Sequence, residues 1–122
     1  MKIIQKKSNL VWIEFSKDLI VSTAWGAGTY SDNHDAMLME DYDVGKLMEI
    51  FNKPMESSNC EVYFINCPED LQESLEKKYN DGCEHPISYL DVENWIKLIM
   101  DCKKYVNKQI KTTQKQLTTK NL

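Results

Sequence analysis

Two apolar runs face each other across a short polar break, and they constrain the fold more than anything else in the chain. Leu10-Val11-Trp12-Ile13-Glu14-Phe15 precedes Ser16-Lys17-Asp18, and Leu19-Ile20-Val21-Ser22-Thr23-Ala24-Trp25 follows it. Both runs are rich in β-branched and aromatic side chains, which suit a pleated surface better than a helix. Two such runs around a short loop form a β-hairpin. A hairpin buries its apolar side chains only against further elements, so the remaining sequence has to supply them.

Ile3-Ile4 also reads as extended. Gly26 to Asp35 is irregular, because two glycines free the backbone and Ser31, Asp32 and Asn33 favour turns. Ala36-Met37-Leu38-Met39 suits a short strand or a helical turn equally. Asp43 is placed as an N-cap, and Val44, Leu47, Met48 and Phe51 follow at helical spacing until Pro54 stops them. This predicts a helix over about 43–53, weakened by Gly45. Glu61-Val62-Tyr63-Phe64-Ile65 reads as a central strand. Pro68 suits a helix start, with Glu69 and Asp70 near its positive end. Leu71, Leu75 and Tyr79 form its stripe, and Gly82 ends it.

Ser88 and Asp91 read as a capping-box variant that opens the last and longest helix. Trp95, Ile99 and Val106 supply its expected packing ridge. The pattern from Asp43 to Phe51 resembles that from Asp91 to Ile99, which shared helix-start chemistry explains without a duplication. From about Lys111 the chain turns to Lys, Thr and Gln, so 113–122 is expected to fray or stay disordered. The expected fold is α+β, with order β-β-loop-α-β-α-α. It has an antiparallel three- or four-stranded sheet, helices packed on one face, and a long C-terminal helix. Residues 1–112 form its single domain.

Charge narrows the function. All 15 basic residues are lysine, against 19 carboxylates, and no carboxylate lies beyond Asp101. Residues 1–102 hold 9 Lys and 19 acids, a formal −10, while residues 103–122 hold 6 Lys and no acid. The acidic body repels phosphates and attracts basic proteins at long range. Direct nucleic-acid binding is therefore not expected, and stacking aromatics are missing after Tyr105. No apolar run approaches the roughly 18 residues that span a membrane. No apolar stretch follows the charged N-terminus as in a secretory signal, so a cytoplasmic location is expected.

Chemistry-bearing motifs are sparse. There is no phosphate-binding loop, and Gly26-Ala27-Gly28 lacks the third glycine and the helix of a dinucleotide site. No cofactor is expected. Cys60, Cys67, Cys83 and Cys102 include no C-x-x-C pair, so reduced, packed thiols are expected rather than zinc ligands with His85. Cys67 precedes a predicted helix N-terminus, which lowers a thiol pKa, but Glu69 and Asp70 oppose that effect. The cluster from Trp25 to Asp43 stands out. It holds Tyr30, Asp32, His34, Asp35, Glu40, Asp41, Tyr42 and Asp43, with His34 its one potential cation. It reads either as a solvated loop leading into a capped helix or as an acceptor-rich surface for a basic partner. Asp32, His34 and Asp35 also contain the groups of an acid–base set, but no nucleophile accompanies them. No catalytic residue and no metal ligand is assigned.

In size, acidic body and its acidic-aromatic segment from Tyr30 to Asp43, the chain resembles bacterial toxin-immunity proteins, particularly those paired with contact-dependent growth-inhibition nuclease toxins. That resemblance is one of character rather than motif. It implies a non-enzymatic inhibitor whose carboxylates occupy the basic cleft of a toxin nuclease domain. An accessory or adaptor protein that uses the same acidic face on another basic partner is the alternative.

Overall fold

The computed structural model describes residues 1–37, 43–80 and 86–120. The chain is an α+β protein built on one antiparallel sheet. Five strands lie in sequence order: β1 (Lys2–Lys7), β2 (Leu10–Ser16), β3 (Leu19–Ala24), β4 (Asn59–Ile65) and β5 (Ile87–Asp91). The expected hairpin is β2–β3, with Ile13 opposite Val21 and Trp12 opposite Ser22. A 3-10 turn (His34–Met37) and the helix α1 (Val44–Asn52) lie between β3 and β4. Helix α2 (Glu69–Tyr79) joins β4 to β5, and α3 (Val92–Lys120) closes the described chain.

Alternation along each strand separates two faces. Ile13, Phe15, Leu19, Val21, Cys60, Val62 and Phe64 point to one side, where α2 adds Leu71 and Leu75 and α3 adds Leu98 and Cys102. This is the core. Leu98 and Cys102 are wholly inaccessible, whereas Trp95, Ile99 and Val106 pack only partly against it. Leu98 and Cys102, on the same apolar side of α3, thus lie deeper than the expected ridge residues. Trp95 still reaches the sheet, and its indole N–H donates to the Thr23 hydroxyl at 2.9 Å. At the other end of α2, the Asp101 carboxylate of α3 accepts from Tyr79 at 2.6 Å and Lys78 at 2.9 Å.

The sheet has five strands rather than three or four, and the added ones are β1 and β5. Ser88 does not open the last helix. It lies in β5, and Asp91 itself supplies the cap, accepting from the Asn94 N–H at 2.8 Å. The same side chains satisfy both patterns, and pairing of Leu90 with Cys60 decides for the strand. Helix α1 forms where expected, and Asp43 caps it through the Gly45 N–H at 3.0 Å. Its side chains are not buried. Two backbone tethers hold its end instead: the Ser8 hydroxyl donates to the Asn52 carbonyl, and the Asn9 amide to the Lys53 carbonyl. The segment expected to fray is helical through Lys120, and the side chains from Asn107 to Leu117 are exposed.

Trp95→Ala removes a large contact and strands the Thr23 hydroxyl, so it should lower stability by about 3 kcal/mol. Trp95→Phe keeps most of the packing and should cost about 1 kcal/mol, the worth of one hydrogen bond. Urea unfolding of both variants checks the ordering, and equal losses would mean that packing by the indole is immaterial.

Candidate partner-binding face

Among the described residues, no α-helix packs on the second face of the sheet. Alternation points Trp12, Glu14, Ile20, Ser22, Glu61 and Tyr63 toward it, opposite to the core residues beside them. Cross-strand pairing lines up Ile4, Trp12, Ser22 and Tyr63 in one row. Small Ser22 lies between the two aromatic rings and is buried by its neighbours. Lys6 sits 4.1 Å above the Trp12 ring, a cation–π contact.

At the β4–β5 end of this face, three tyrosines gather. Tyr30, Tyr63 and Tyr89 are 44%, 38% and 51% exposed. Each arrives by a different route. Tyr63 comes from β4 by alternation. Tyr30 is fixed because its N–H donates to the buried Glu61 carboxylate at 2.9 Å. Tyr89 sits at an irregularity in β5, where two residues of β5, Ser88 and Tyr89, face one of β4, Glu61, between the Leu90–Cys60 and Ile87–Val62 pairs. Its φ is 51°, a left-handed conformation that a bulky residue adopts at a cost. The bulge turns Tyr89 toward Tyr30, and its N–H donates to the Tyr30 carbonyl at 2.9 Å. The Tyr30 and Tyr89 rings lie 6.5 Å apart with a 50° tilt, and Tyr30 stacks on His34 at 5.4 Å. Burial, then the Glu61 carboxylate and Tyr30, push the Tyr63 phenol above its ordinary value, so it stays neutral at physiological pH.

The loop that carries Tyr30 is held by polar side chains. Asp32 accepts from the Ser58 hydroxyl and N–H and from the Asn59 amide. Those bonds hold its carboxyl below the ordinary aspartate value, the Ser58 hydroxyl contributing most. Asn33 donates to the Trp25 and Glu56 carbonyls at 2.6 and 3.0 Å. Asn9 donates to Lys53 and accepts from the Met55 N–H at 2.8 Å. Gly26 packs closely at this junction: an added Cβ would lie 3.0 Å from the Asn9 side chain, which would have to give way. Gly28 takes a φ of 79° in the same turn.

The residues expected to bind a partner therefore divide. Tyr30 and His34 are stacked at the surface, and Asp35 is exposed and pairs with His34 at 3.1 Å. Asp32 and Asp43 act within the fold, as a loop clamp and a helix cap. Glu40, Asp41 and Tyr42 lie outside the described residues. Asp32 is turned to Ser58 and Asn59, so Asp32, His34 and Asp35 do not converge as an acid–base set. Tyr63, Tyr89 and Glu61 were missed. Tyr63 was detectable as the outward residue between Val62 and Phe64, whereas nothing local marks Tyr89 as a bulge.

Among the described residues, no group of His, Cys, Asp and Glu is arranged to hold a metal, and no helix is long and apolar enough to cross a membrane. Cys60, Cys67 and Cys102 are free thiols, and Cys83 and His85 lie outside the described residues. Burial is the main force that raises the Cys67 thiol to about 11, with Asp70 and Glu76 adding to it. Cys60 and Cys102 are pushed up to about 12, again chiefly by burial. Neutral thiols of this kind are poor nucleophiles.

No protein-family model matches this sequence, and no curated protein or solved structure matches it either.

Two outcomes are expected. Because Asp32 has a lowered folded pKa, its ionised form stabilises the fold above its ordinary value of 3.8 and that contribution is lost as pH falls through the lowered one. The stability gap between the native chain and Asp32→Asn should be full at neutral pH and close in acid, as read from melting curves. A gap independent of pH would mean that the charge of Asp32 adds nothing to the clamp. In the native protein at pH 8, Cys60, Cys67 and Cys102 should alkylate far more slowly than in the unfolded chain. Rapid labelling of Cys67 by mass spectrometry would contradict its raised pKa.

Proposed function

We propose that this protein is a non-enzymatic inhibitor of the immunity type, which neutralises a basic toxin by covering its active-site cleft. A nuclease domain is the partner that the charge favours, because its cleft must attract phosphate. The observation that carries this reading is the cluster of Tyr30, Tyr63 and Tyr89 on the face that bears no helix. Tyrosine is the residue type that most often anchors an interface, since it buries a rigid ring and keeps a hydroxyl to bond. Here the rings are held in place before a partner arrives: one by a buried carboxylate, one by a bulge, one by the strand itself. Pre-ordered anchors lose little side-chain entropy on binding.

The carboxylates play a different part. Asp35 is exposed beside the cluster, next to His34, and the acidic body extends the field beyond contact distance. Such charges speed encounter with a basic protein and weaken with salt, while the buried rings set the lifetime of the complex. Asp32 and Asp43 contribute to that field, but their oxygens are committed to the fold.

The test begins with the protein encoded beside this one. Co-expression should relieve its toxicity, and the two should form a complex. Tyr30→Ala should raise the dissociation rate by roughly thirtyfold, the equivalent of about 2 kcal/mol at an interface anchor. Asp35→Asn should slow association with little effect on dissociation. A complex whose lifetime ignores Tyr30→Ala and Tyr63→Ala would move binding to another surface. Failure to protect cells, with a folded protein in hand, would end the immunity reading.

A further inference from the structure

Helix α3 is longer than the body it packs on. Its 29 residues extend about 43 Å at 1.5 Å per residue, whereas strands of at most 7 residues span about 23 Å. Its contribution to the core ends at Val106. From Asn107 to Leu117 the helix is exposed, with Ile110 at 50% and Leu117 at 56%. These two apolar residues are seven apart and so share one side of the helix. Lys103, Lys104, Lys108, Lys111 and Lys115 lie on the same stretch of helix, with no acid after Asp101. A free helical end of about this length is marginal in water without tertiary support.

A second unpartnered stripe exists in the same chain. Val44, Met48 and Phe51 are 75%, 56% and 44% exposed, and no residue of α1 is buried. Helix α1 is tied to the body at the Asn52 and Lys53 carbonyls, and of its apolar side chains Leu47 and Ile50 are only partly buried. The sequence around it is acidic: residues 40–56 hold five carboxylates against two lysines.

We propose that the protein forms a reciprocal homodimer in which the basic end of α3 of each copy lies on the apolar face of α1 of the other. The two stripes are alike in chemistry and their flanking charges are opposite. Pairing two α3 ends with each other would bring lysine against lysine. An anionic membrane or a nucleic acid would attract the lysines but repel the acidic body to which they are attached. Reciprocal exchange closes on itself, so it yields a dimer rather than a chain of copies. It also doubles the contact, toward the roughly 1,600 Å² that stable complexes bury. This inference is independent of the tyrosine face and of what binds there.

The full chain, studied by sedimentation velocity over a range of concentrations, tests it. A dimer is expected at low salt, with its Kd rising about tenfold or more as salt screens the lysines. Ile110→Glu with Leu117→Glu should give a monomer whose body unfolds at an unchanged urea midpoint, since neither residue touches the core, while the undocked end of α3 loses helical signal. Met48→Glu should do the same from the other side. Charge reversal supplies a check that misfolding cannot imitate. Lys108→Glu with Lys111→Glu, and Glu49→Lys with Glu56→Lys, should each be monomeric alone and form a dimer when mixed. A monomer at every concentration overturns the proposal. So does a dimer that survives these substitutions, or a monomer whose α3 variants lose the toxin instead, which would assign the helix to that partner.

Discussion

Side-chain amides and one carboxylate, bonded to backbone far away in sequence, are what the tyrosine-bearing face depends on. The connection from β3 to β4 is long, and few of its described side chains, Ala27 and Ser31 among them, are buried. Apolar burial cannot fix such a segment. Asn9, Asn33 and Asp32 do so instead, each joining two stretches that the core does not reach. Asn9 links the β1–β2 turn to the chain after α1. Asn33 links the end of β3 to Glu56. Asp32 links the loop to the start of β4. Tyr30 can stand at the surface in one orientation because the residues beside it are held this way. Removing one of these bonds leaves a polar group without its partner, which costs more than the bond itself is worth.

The same arrangement explains what could be read from the sequence. The β2–β3 hairpin was legible because its apolar runs and polar break leave no competing helix. Helix α2 was legible from Leu71, Leu75 and Tyr79. β5 was not, because Ser88 and Asp91 imitate a capping box and the bulge at Tyr89 destroys the two-residue period that marks a strand. Only pairing with β4 distinguishes the two readings, and pairing is a long-range fact. Tyr30 was legible as a surface aromatic on glycine-rich chain. Asp32 was legible as a polar group but not in its role, since Ser58 and Asn59 lie 26 and 27 residues away. Acid content singled out several side chains, Asp32 and Asp43 among them, whose oxygens are already in use within the fold.

Charge and contact are therefore separate properties of this molecule. The acidic body acts at a distance, and its effect does not depend on which carboxylate is free. The tyrosines act only on contact, where geometry matters. Helix α3 carries the opposite sign and stands apart from both.

The sheet has two edges, β1 and β5, and each is a row of backbone groups on which a foreign strand could grow. Lys2, Lys6 and Lys7 lie along β1 and oppose its stacking on another copy. On β5 the defence is the bulge. With Tyr89 at φ 51°, the backbone leaves the regular repeat, and a straight strand laid against it would lose register within a few residues. Strand addition, a common way for an exposed sheet to acquire a peptide, is thereby closed at that side. What this side offers is side chains rather than a straight row of backbone groups. The strained residue that aims one ring thus also decides the direction from which the protein can be approached.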